Sequence, residues 1–505
     1  MLTITYANCL ADRVGPHGID PDRLDPAAEA AASVISMTRL LANSRLVQPG
    51  KGGWEVWRQI PLAPLKDQYL HAVNDLVAKY QPRTDNLVVL GIGGSALGNI
   101  ALHSALNPST YNLLDRVKGP TGIVAQENNR GAAMTARPGP RIFVVDNVDP
   151  SYFGAVINFC LQTDPKLERT VFNVVSKSGE TAETAAQFMI VRDLLKKHRG
   201  AAHNQHVVAI TDERNGTMRK ICDAEGYATL PVPDGVGGRF SVLSPVGLFS
   251  AAMSGIDIQS LLLGAASMDV PCSRESLLQN PAALIAFLLV ELGSKKGKTN
   301  HVMMPYRNPL YLLADWYRQL WAESLGKKTD LKGADVFAGF TPIKALGTTD
   351  QHSQVQLYRE GPNDKVFCFV DVAPPPIVGD DSLLDSMQIP TGLGVEAIQY
   401  LEGKRMTELL GAEKRATEYT FVESQRPNLT ITFDKLDAYH VGAFIYLWEV
   451  VTAYAGLMLN INTYDQPAVE LGKQATFGLM GRPGYEKHLR AVNETLAATD
   501  RFLTV

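Results

Sequence analysis

A short turn crowded with hydroxyl groups is the first segment whose residue types could do chemistry. It contains Ser176, Lys177, Ser178 and Thr181. The turn follows the apolar run 171–175 and precedes an expected helix at 185–195, so it lies at the positive end of that helix. With Thr184, the stretch has four hydroxyls and a lysine, which suit a phosphate monoester, whereas a simple helix cap needs only one or two hydroxyls. Because the G-x-x-x-x-G-K-[ST] order is missing, nucleoside triphosphate binding is not implied.

A glycine-rich segment at 90–98 follows another apolar run and opens a helix, with Ser95 as a hydroxyl donor. Its spacing superficially fits a dinucleotide-binding turn. That turn needs an acidic residue about 20 positions on, at the end of the next strand, but here the next strand begins only near Arg141. The segment therefore predicts either close approach of the backbone to some other ligand or a tight strand-to-helix turn.

A second glycine-rich segment, 234–241, holds Arg239 among three glycines and precedes an apolar helix. An isolated arginine is usually a surface ion-pair residue. In this setting it can instead point into a cleft and stabilise negative charge that develops during a reaction. The sequence alone leaves both interpretations open.

A carboxylate on an apolar helix is the candidate general base. In the expected helix 311–326, Asp315, Gln319 and Glu323 fall on one stripe at i, i+4 and i+8, among leucines and tryptophans. Apolar surroundings should desolvate a carboxylate and raise its proton affinity toward the range useful for proton abstraction. A solvated polar face is the alternative interpretation.

Two further polar segments carry single candidates. Residues 350–354 hold His352 in a polar loop, and residues 466–473 run from Gln466 to Lys473. A lone histidine is more often structural than catalytic, although the polar loop favours a chemical role. Other histidines have no cysteine or acidic companion at ligand spacing, so no metal site is predicted.

Composition bounds the class of protein. The chain has 505 residues, and 48 Lys and Arg against 52 Asp and Glu give a net charge of −4, which disfavours a nucleic-acid or membrane partner. The five cysteines are scattered without a CxxC pair, and the amino terminus lacks a signal-peptide pattern. The apolar stretch 441–459 contains Glu449 and is predicted to be a buried core helix. We expect a reduced, soluble, cytoplasmic protein.

The elements that must position these residues indicate an α/β fold. Apolar runs alternate with helices after residue 60, and continuous apolar strands separated by helices are typical of parallel sheets covered on both faces. The first set of runs lies at 87–90, 142–145, 171–175, 207–210 and, more weakly, 227–230. A second set lies at 300–305, 366–372 and 429–433, with helices near 281–294, 309–325 and 436–458. We predict a helical segment at 1–60, a first α/β domain at 61–265 and a second at 266–505 with carboxy-terminal helices, linked near 255–280.

Together these segments resemble the phosphoglucose isomerase family, in family order from Gly91 to Lys473. The Ser-Lys-Ser-Gly-x-Thr turn marks sugar-isomerase (SIS) domains broadly. The combination of Gly-Gly-Arg-Phe-Ser, Glu-Ser-x-Gly-Lys, Gln-His-Ser and Gln-Pro-x-Val-Glu-x-x-Lys is specific to the isomerase. The resemblance implies two three-layer αβα domains with mainly parallel sheets, plus helical terminal segments. It also implies interconversion of glucose 6-phosphate and fructose 6-phosphate, in glycolysis and gluconeogenesis, without a cofactor.

The resemblance further implies a role for each candidate. The substrate-binding residues would be Gly94, Ser95, Ser176, Lys177, Ser178, Thr181, Gln319 and Gln466. Glu323 would be the catalytic base, His352 and Lys473 would open the sugar ring, and Arg239 would lie beside the intermediate. In this family the histidine reaches the site from the neighbouring subunit, so a homodimer is expected. Glu180 departs from the neutral residues of many relatives and is expected to point away from the phosphate.

The residue types fit this reaction physically. Aldose–ketose isomerisation needs ring opening and then proton transfer between adjacent carbons, through a cis-enediol(ate) whose negative charge an arginine offsets. Three other functions compete. One is an isomerase that also accepts mannose 6-phosphate. Another is a non-catalytic sugar-phosphate sensor, which would need a DNA-binding segment but no base. A dehydrogenase is disfavoured by the spacing of the first glycine-rich segment.

Overall fold

The computed structural model of the chain describes residues 2–44, 55–117, 134, 136–373 and 387–497. Within these ranges the strands form two five-stranded sheets and one short hairpin. The strands are β1 (Leu2–Thr5), β2 (Asn86–Leu90), β3 (Arg141–Val145), β4 (Thr170–Val175), β5 (Val207–Thr211), β6 (Ala228–Pro231), β7 (Asn300–Pro305), β8 (Lys327–Thr329), β9 (Asp335–Ala338), β10 (Thr341–Lys344), β11 (Lys365–Val372) and β12 (Asn428–Phe433).

Helices cover both sheets and form the carboxy-terminal end of the described chain. They are α1 (Ala11–Val14), α2 (Glu29–Ser44), α3 (Leu65–Tyr80), α4 (Leu97–Leu106), α5 (Pro150–Thr163), α6 (Ala182–Arg199), α7 (Thr217–Glu225), α8 (Pro245–Met253), α9 (Ile258–Cys272), α10 (Pro281–Lys296), α11 (Tyr311–Leu325), α12 (Val355–Glu360), α13 (Met406–Glu423), α14 (Ala438–Met458), α15 (Glu470–Leu479) and α16 (Glu486–Ala497). The last two helices pack on each other and are largely exposed to solvent. They form the helical carboxy-terminal segment that the sequence predicted.

The first sheet is entirely parallel and has the strand order β3-β2-β4-β5-β6. Strands β2, β4 and β5 are buried along their whole length. Burial on both faces explains why their sequences are continuous apolar runs rather than alternating ones. The predicted α/β fold with mainly parallel sheets is confirmed here.

The second sheet has the order β1-β12-β11-β7-β10, and only β1 runs antiparallel to its neighbour, with Leu2 opposite Phe433. The prediction of helix and loop for residues 1–60 missed β1. This strand has four residues at the edge of the sheet, too few for their alternation to register as a pattern. Helix α2 lies within the predicted helical segment, of which residues 45–54 are outside the described residues.

Each sheet is the middle of three layers. Helices α5, α6 and α7 cover one face of the first sheet, and α12 and α13 cover one face of the second. The other two faces turn inward and share one large apolar core with α3, α4, α8, α10, α11 and α14. Helix α11, which carries the predicted base, therefore lies between the two sheets.

The segment predicted as a link, 255–280, contains a well-packed helix. Helix α9 lies along α14, and two glycines allow the close crossing. A Cβ atom at Gly264 would lie 1.8 Å from the carbonyl oxygen of Tyr439, and one at Gly442 would lie 1.9 Å from that of Leu261. Both glycines are therefore required for the backbones to touch.

Helix α14 is long and apolar enough to cross a membrane by length and composition alone. In the fold, 89% of its most apolar 18-residue window is buried inside the protein. Glu449 lies within this helix and is itself buried. The helix is thus a core helix, as its central glutamate predicted.

Candidate active site

A cavity of about 530 Å³ opens where β2, β4 and β5 end, at the carboxyl edge of the first sheet. This is the edge at which parallel α/β sheets usually bind ligands. Six of the predicted site residues line it, namely Ser95, Ser176, Lys177, Ser178, Thr181 and Gln466. The topology therefore brings both the hydroxyl-rich turn and part of the first glycine-rich segment to one cavity.

The hydroxyl-rich turn uses only part of its polar groups on itself. Ser176 Oγ accepts a hydrogen bond from the Gly179 amide at 3.1 Å, and Ser178 Oγ accepts one from the Glu180 amide at 3.1 Å. Thr181 is the N-cap residue of α6, but its side chain makes no capping hydrogen bond with any described residue. Lys177 is half-exposed, with Nζ 3.8 Å from Asp234 Oδ1. A hydroxyl and an ammonium thus stay available to an anion at this helix end.

Glu180 turns away from the cavity, in agreement with its expected orientation. Its carboxylate accepts a hydrogen bond from Thr217 Oγ1 at 3.1 Å and pairs with Arg482 Nη2 at 3.2 Å. The Arg482 guanidinium holds the pKa of Glu180 below its usual range. The carboxylate therefore stays charged at neutral pH without facing the proposed phosphate position.

Glycines let the two loops of the site touch through their backbones. A Cβ atom at Gly94 would lie 2.2 Å from the carbonyl carbon of Gly238, so no side chain fits there. Gly93 has a φ of 57°, and a Cβ atom on it would lie 3.0 Å from Gln319 Nε2. The first glycine-rich segment therefore packs directly against both the arginine loop and α11.

Arg239 is buried and every nitrogen of its guanidinium has a partner. Nε donates to Ser324 Oγ at 2.7 Å, Nη1 donates to Gln466 Oε1 at 3.0 Å, and Nη2 donates to the Thr463 carbonyl at 2.6 Å. Nη1 also lies 3.3 Å from Glu323 Oε1. Burial lowers the pKa of Arg239 from its usual value, and the nearby Glu323 opposes that shift. The structure thus resolves the choice left by the sequence, because this arginine points inward.

Glu323 is held between Arg239 and the residue one helical turn earlier. Gln319 Nε2 donates to Glu323 Oε2 at 3.0 Å, while Gln319 Oε1 is buried and finds no partner among the described residues. The Glu323 side chain remains 27% exposed. The expectation that apolar neighbours desolvate it is therefore met only in part, since the bulky residues Leu320 and Trp321 are buried elsewhere on the helix.

Asp315, the first carboxylate of the same stripe, has a different environment. It forms an ion pair with Arg318 and lies 3.2 Å from Lys344 Nζ. Two cations thus neutralise it at the other end of α11. The stripe predicted as one polar face divides into a structural ion pair and a carboxylate in the site.

The described residues that line the cavity include neither His352 nor Lys473, and the remaining predicted residues, Gly94, Arg239, Gln319 and Glu323, are joined to it only through Ser95, Gly238 and Gln466. His352 is exposed at the end of a 3-10 turn, Thr349–His352, and Lys473 is half-exposed on α15 with Nζ 2.7 Å from Glu470 Oε1. The histidine turn is fixed from behind, because Gln351 Nε2 donates to the Tyr306 hydroxyl at 2.7 Å. Within one chain, these two predicted residues are not assembled with Glu323.

Two polar residues that the sequence did not single out, Asp212 and Asn215, also line the cavity. Thr184, a further hydroxyl of the stretch 176–184, lines it as well. Asp212 comes directly after β5, and that position at the end of a parallel strand is the signal that could have identified it. Lys327, which follows α11, was also missed, although it is buried beside the turn that carries Glu323.

No group of three or more His, Cys, Asp or Glu residues is placed to hold a metal ion within the part of the chain that the structure describes. The charged groups around Arg239 pair with one another instead. The site offers a carboxylate beside a fixed cation at one end and hydroxyls with an ammonium at the other. Gln466 belongs to both ends, since it lines the cavity and accepts from Arg239.

Comparisons with known proteins agree with this geometry. The family model described as phosphoglucose isomerase matches residues 76–487. The glucose-6-phosphate isomerase of Carboxydothermus hydrogenoformans is 42% identical over 429 residues, covering 85% of this chain and 86% of the relative. That of Rubrobacter xylanophilus is 42% identical over 402 residues, covering 79% and 83%.

Two solved structures share the fold. A hypothetical protein of Thermus thermophilus superimposes with a TM-score of 0.77 at 31% identity, covering 95% of this chain and all (100%) of the other. A glucose-6-phosphate isomerase of Chlamydia trachomatis has a TM-score of 0.74 at 21% identity, covering 98% and 92%. Because the family model matches most of this chain, the chain belongs to the phosphoglucose isomerase family.

Proposed function

We propose that the protein catalyses the reversible isomerisation of glucose 6-phosphate and fructose 6-phosphate. The observation that carries the proposal is the Glu323 carboxylate, which is held by Arg239 and Gln319 and connected through Arg239 to Gln466 in the wall of the cavity that the hydroxyl-rich turn lines. A base and a fixed cation are what proton transfer between two adjacent carbons requires. The hydroxyl turn binds the phosphate at a distance from those carbons.

In the proposed mechanism, binding and chemistry use different residues. The phosphate is bound by Ser176, Lys177, Ser178 and Thr181. The sugar is contacted by Gly94, Ser95, Gln319 and Gln466. Binding energy from the phosphate then orients the reacting carbons without acting on them directly.

Two different protons are transferred, one after the other. His352 and Lys473 open the ring by transferring a proton between the ring oxygen and O1. Glu323 then removes the proton from carbon 2 and returns it to carbon 1. Between these steps, Arg239 offsets the negative charge of the cis-enediol(ate), because its guanidinium is already fixed and largely dehydrated.

We propose further that the protein is a homodimer and that His352 reaches the site of the second copy. Support comes from the exposed position of this histidine on a turn that is held rigidly from behind. Large apolar side chains are also exposed on the same chain, among them Leu331, Phe337, Met387, Leu393, Tyr400 and Met480. Apolar side chains of this size are of the kind that a subunit interface would cover.

Mixing two inactive variants tests the shared site. His352→Ala and Glu323→Gln are unfolded together, refolded together and assayed. In random mixing about half of the dimers are hybrids, and each hybrid has one intact site, so about a quarter of native activity should return. Activity that stays at the level of the separate variants would mean that both residues act within one chain.

The function itself is tested by a coupled assay on the purified protein. We expect conversion of fructose 6-phosphate to glucose 6-phosphate that is unchanged by a chelator, and comparable turnover of mannose 6-phosphate would indicate the dual-specificity isomerase instead. Absence of turnover between the two hexose phosphates would overturn the proposal. We place this activity in the cytoplasm, since all five cysteines are buried and free, as in a reducing compartment.

A further inference from the structure

Lys327 is a buried lysine attached to the turn that carries the proposed base. Its Nζ donates to the carbonyl of Glu323 at 2.8 Å and to that of Ser324 at 2.9 Å, and the residue is only 6% exposed. These carbonyls belong to the last turn of α11, whose oxygens have no partner within the helix. The lysine therefore fixes the backbone of the residue whose side chain faces the substrate.

The charged groups that face this lysine come from three elements. Arg239 lies in the arginine loop, Glu323 on α11, and Asp465 in the segment after α14, with its Oδ1 3.8 Å from Nζ. Burial and the nearby arginine lower the pKa of Lys327 to about 8, and the two carboxylates oppose that shift. Two cations thus converge on one helix turn, because Arg239 binds the hydroxyl of Ser324 while Lys327 binds its carbonyl.

Two buried cations side by side lower the stability of the fold, and the end of a helix does not require them. A solvated lysine or water could satisfy the same carbonyls at lower cost. The arrangement instead places two positive charges beside Glu323, the proposed base. A role in the reaction explains the arrangement better than helix capping alone.

We propose that Lys327 is a positioning residue of the isomerisation, which holds the turn of Glu323 in register with Arg239 and adds positive charge behind the reacting carbons. The inference rests on the proposed function. Loss of the ammonium proton above neutral pH would weaken the field that stabilises the enediolate. Because Lys327 does not line the cavity of the hydroxyl turn, its removal should affect turnover more than substrate binding.

The test compares three lysine substitutions. In Lys327→Met, kcat should fall by about tenfold or more while KM stays within about threefold. Lys328→Met removes the exposed neighbour on β8, whose Nζ lies 3.6 Å from Asp335. Lys298→Met removes a lysine that is fully buried (0% exposed) and whose pKa is also lowered to about 8, but which binds Asn363. Both control variants should keep kcat within about twofold.

The pH dependence of kcat separates positioning from simple structural support. In the native protein and in Lys328→Met, kcat should fall as pH rises through about 8, where Lys327 loses its proton. This fall should be absent from Lys327→Met. In Asp465→Asn it should move to lower pH by about half a unit, because removing the carboxylate makes the lysine easier to deprotonate.

Two outcomes overturn the inference. One is a Lys327→Met variant with kcat within twofold of native, or with the same alkaline fall. The other is a native kcat that stays constant from pH 7 to pH 9.5, a measurement that decides the matter even when Lys327→Met does not fold. A native protein that fails to turn over the hexose phosphates at all counts instead against the proposed function.

Discussion

The two ends of the candidate site are built in opposite ways. The hydroxyl turn is one short segment, and its internal hydrogen bonds join residues two or three positions apart. The end around Arg239 is assembled from distant segments, since this arginine binds side chains and carbonyls 85 to 227 residues away. The first end is partly solvated and the second is largely closed to water.

The contrast fits the role that we propose for each end. A phosphate carries its charge before and after the reaction, so a local, solvated turn at a helix end can bind it throughout. The charge on an enediolate exists only during the reaction. Stabilising it requires dipoles and cations that are already oriented, and burial supplies that order. Substitutions at the two ends should therefore change different kinetic constants.

The largest effect is expected from Glu323→Gln. Removing the base should lower kcat by about three orders of magnitude, with hexose phosphate binding within about threefold of native. The matched control is Asp315→Asn on the same helical stripe, where the carboxylate pairs with Lys344 instead. That variant should keep kcat within about twofold. Comparable losses in both variants would show that the stripe acts as a structural unit.

Arg239→Lys should lower kcat by about a hundredfold. A lysine keeps the charge but cannot reproduce the three directed contacts to Ser324, Gln466 and Thr463. Affinity for a linear sugar acid that resembles the enediolate should fall in parallel with kcat. Arg482→Lys provides the control, because that arginine pairs with Glu180 in an exposed position. An unchanged kcat in Arg239→Lys would contradict the proposal that the two ends of the site affect different kinetic constants.

Lys177→Ala and Thr181→Ala should each raise KM by about tenfold and leave kcat within about threefold. Both residues line the cavity, and the Thr181 hydroxyl is not used to cap α6. Glu180→Gln tests the neighbouring side chain that faces Thr217, and its KM should stay within about twofold. Steady-state kinetics on fructose 6-phosphate measure all three. If KM is unchanged in both alanine variants, the phosphate lies elsewhere.

The smallest effect concerns stability rather than turnover. Folded Lys298 has a pKa of about 8, whereas an unfolded lysine holds its proton to about 10.4. Between these values the unfolded chain binds more protons, so this residue makes the unfolding free energy rise with pH. Replacing it with methionine should reduce that rise by about 1 kcal/mol per pH unit. Urea unfolding at pH 8 and pH 10 measures the difference, and equal slopes in both proteins would contradict it.

Local patterns accounted for most of what was predictable. The place of the hydroxyl turn in a cavity could be predicted because its residues are neighbours in the chain. The contact of Gln319 with Glu323 could be predicted because helical periodicity places them one turn apart. The parallel sheets were predictable from continuous apolar runs, since each strand shows such a run in its own sequence, whichever strands it pairs with. His352 and Lys473 remain predictions, because neither lies among the described residues that line the cavity.

What the sequence could not reveal depends on long-range contact. The partners of Arg239 lie far along the chain, and nothing in its loop indicates which carbonyls it binds. The partial exposure of Glu323 depends on which side of α11 faces the cavity, and apolar neighbours alone do not determine that. The sequence predicted only a link at 255–280, because the packing of helix α9 on α14 depends on two glycines in distant segments.

The contact between Gly94 and Gly238 fixes the first glycine-rich segment against the arginine loop. Here main chain meets main chain, and no side-chain rotamer can lengthen or shorten the gap. Ser95, which lines the cavity, and the buried Arg239 each follow directly on one of these two glycines. A ligand that contacts both residues must therefore match a spacing that the backbone itself imposes.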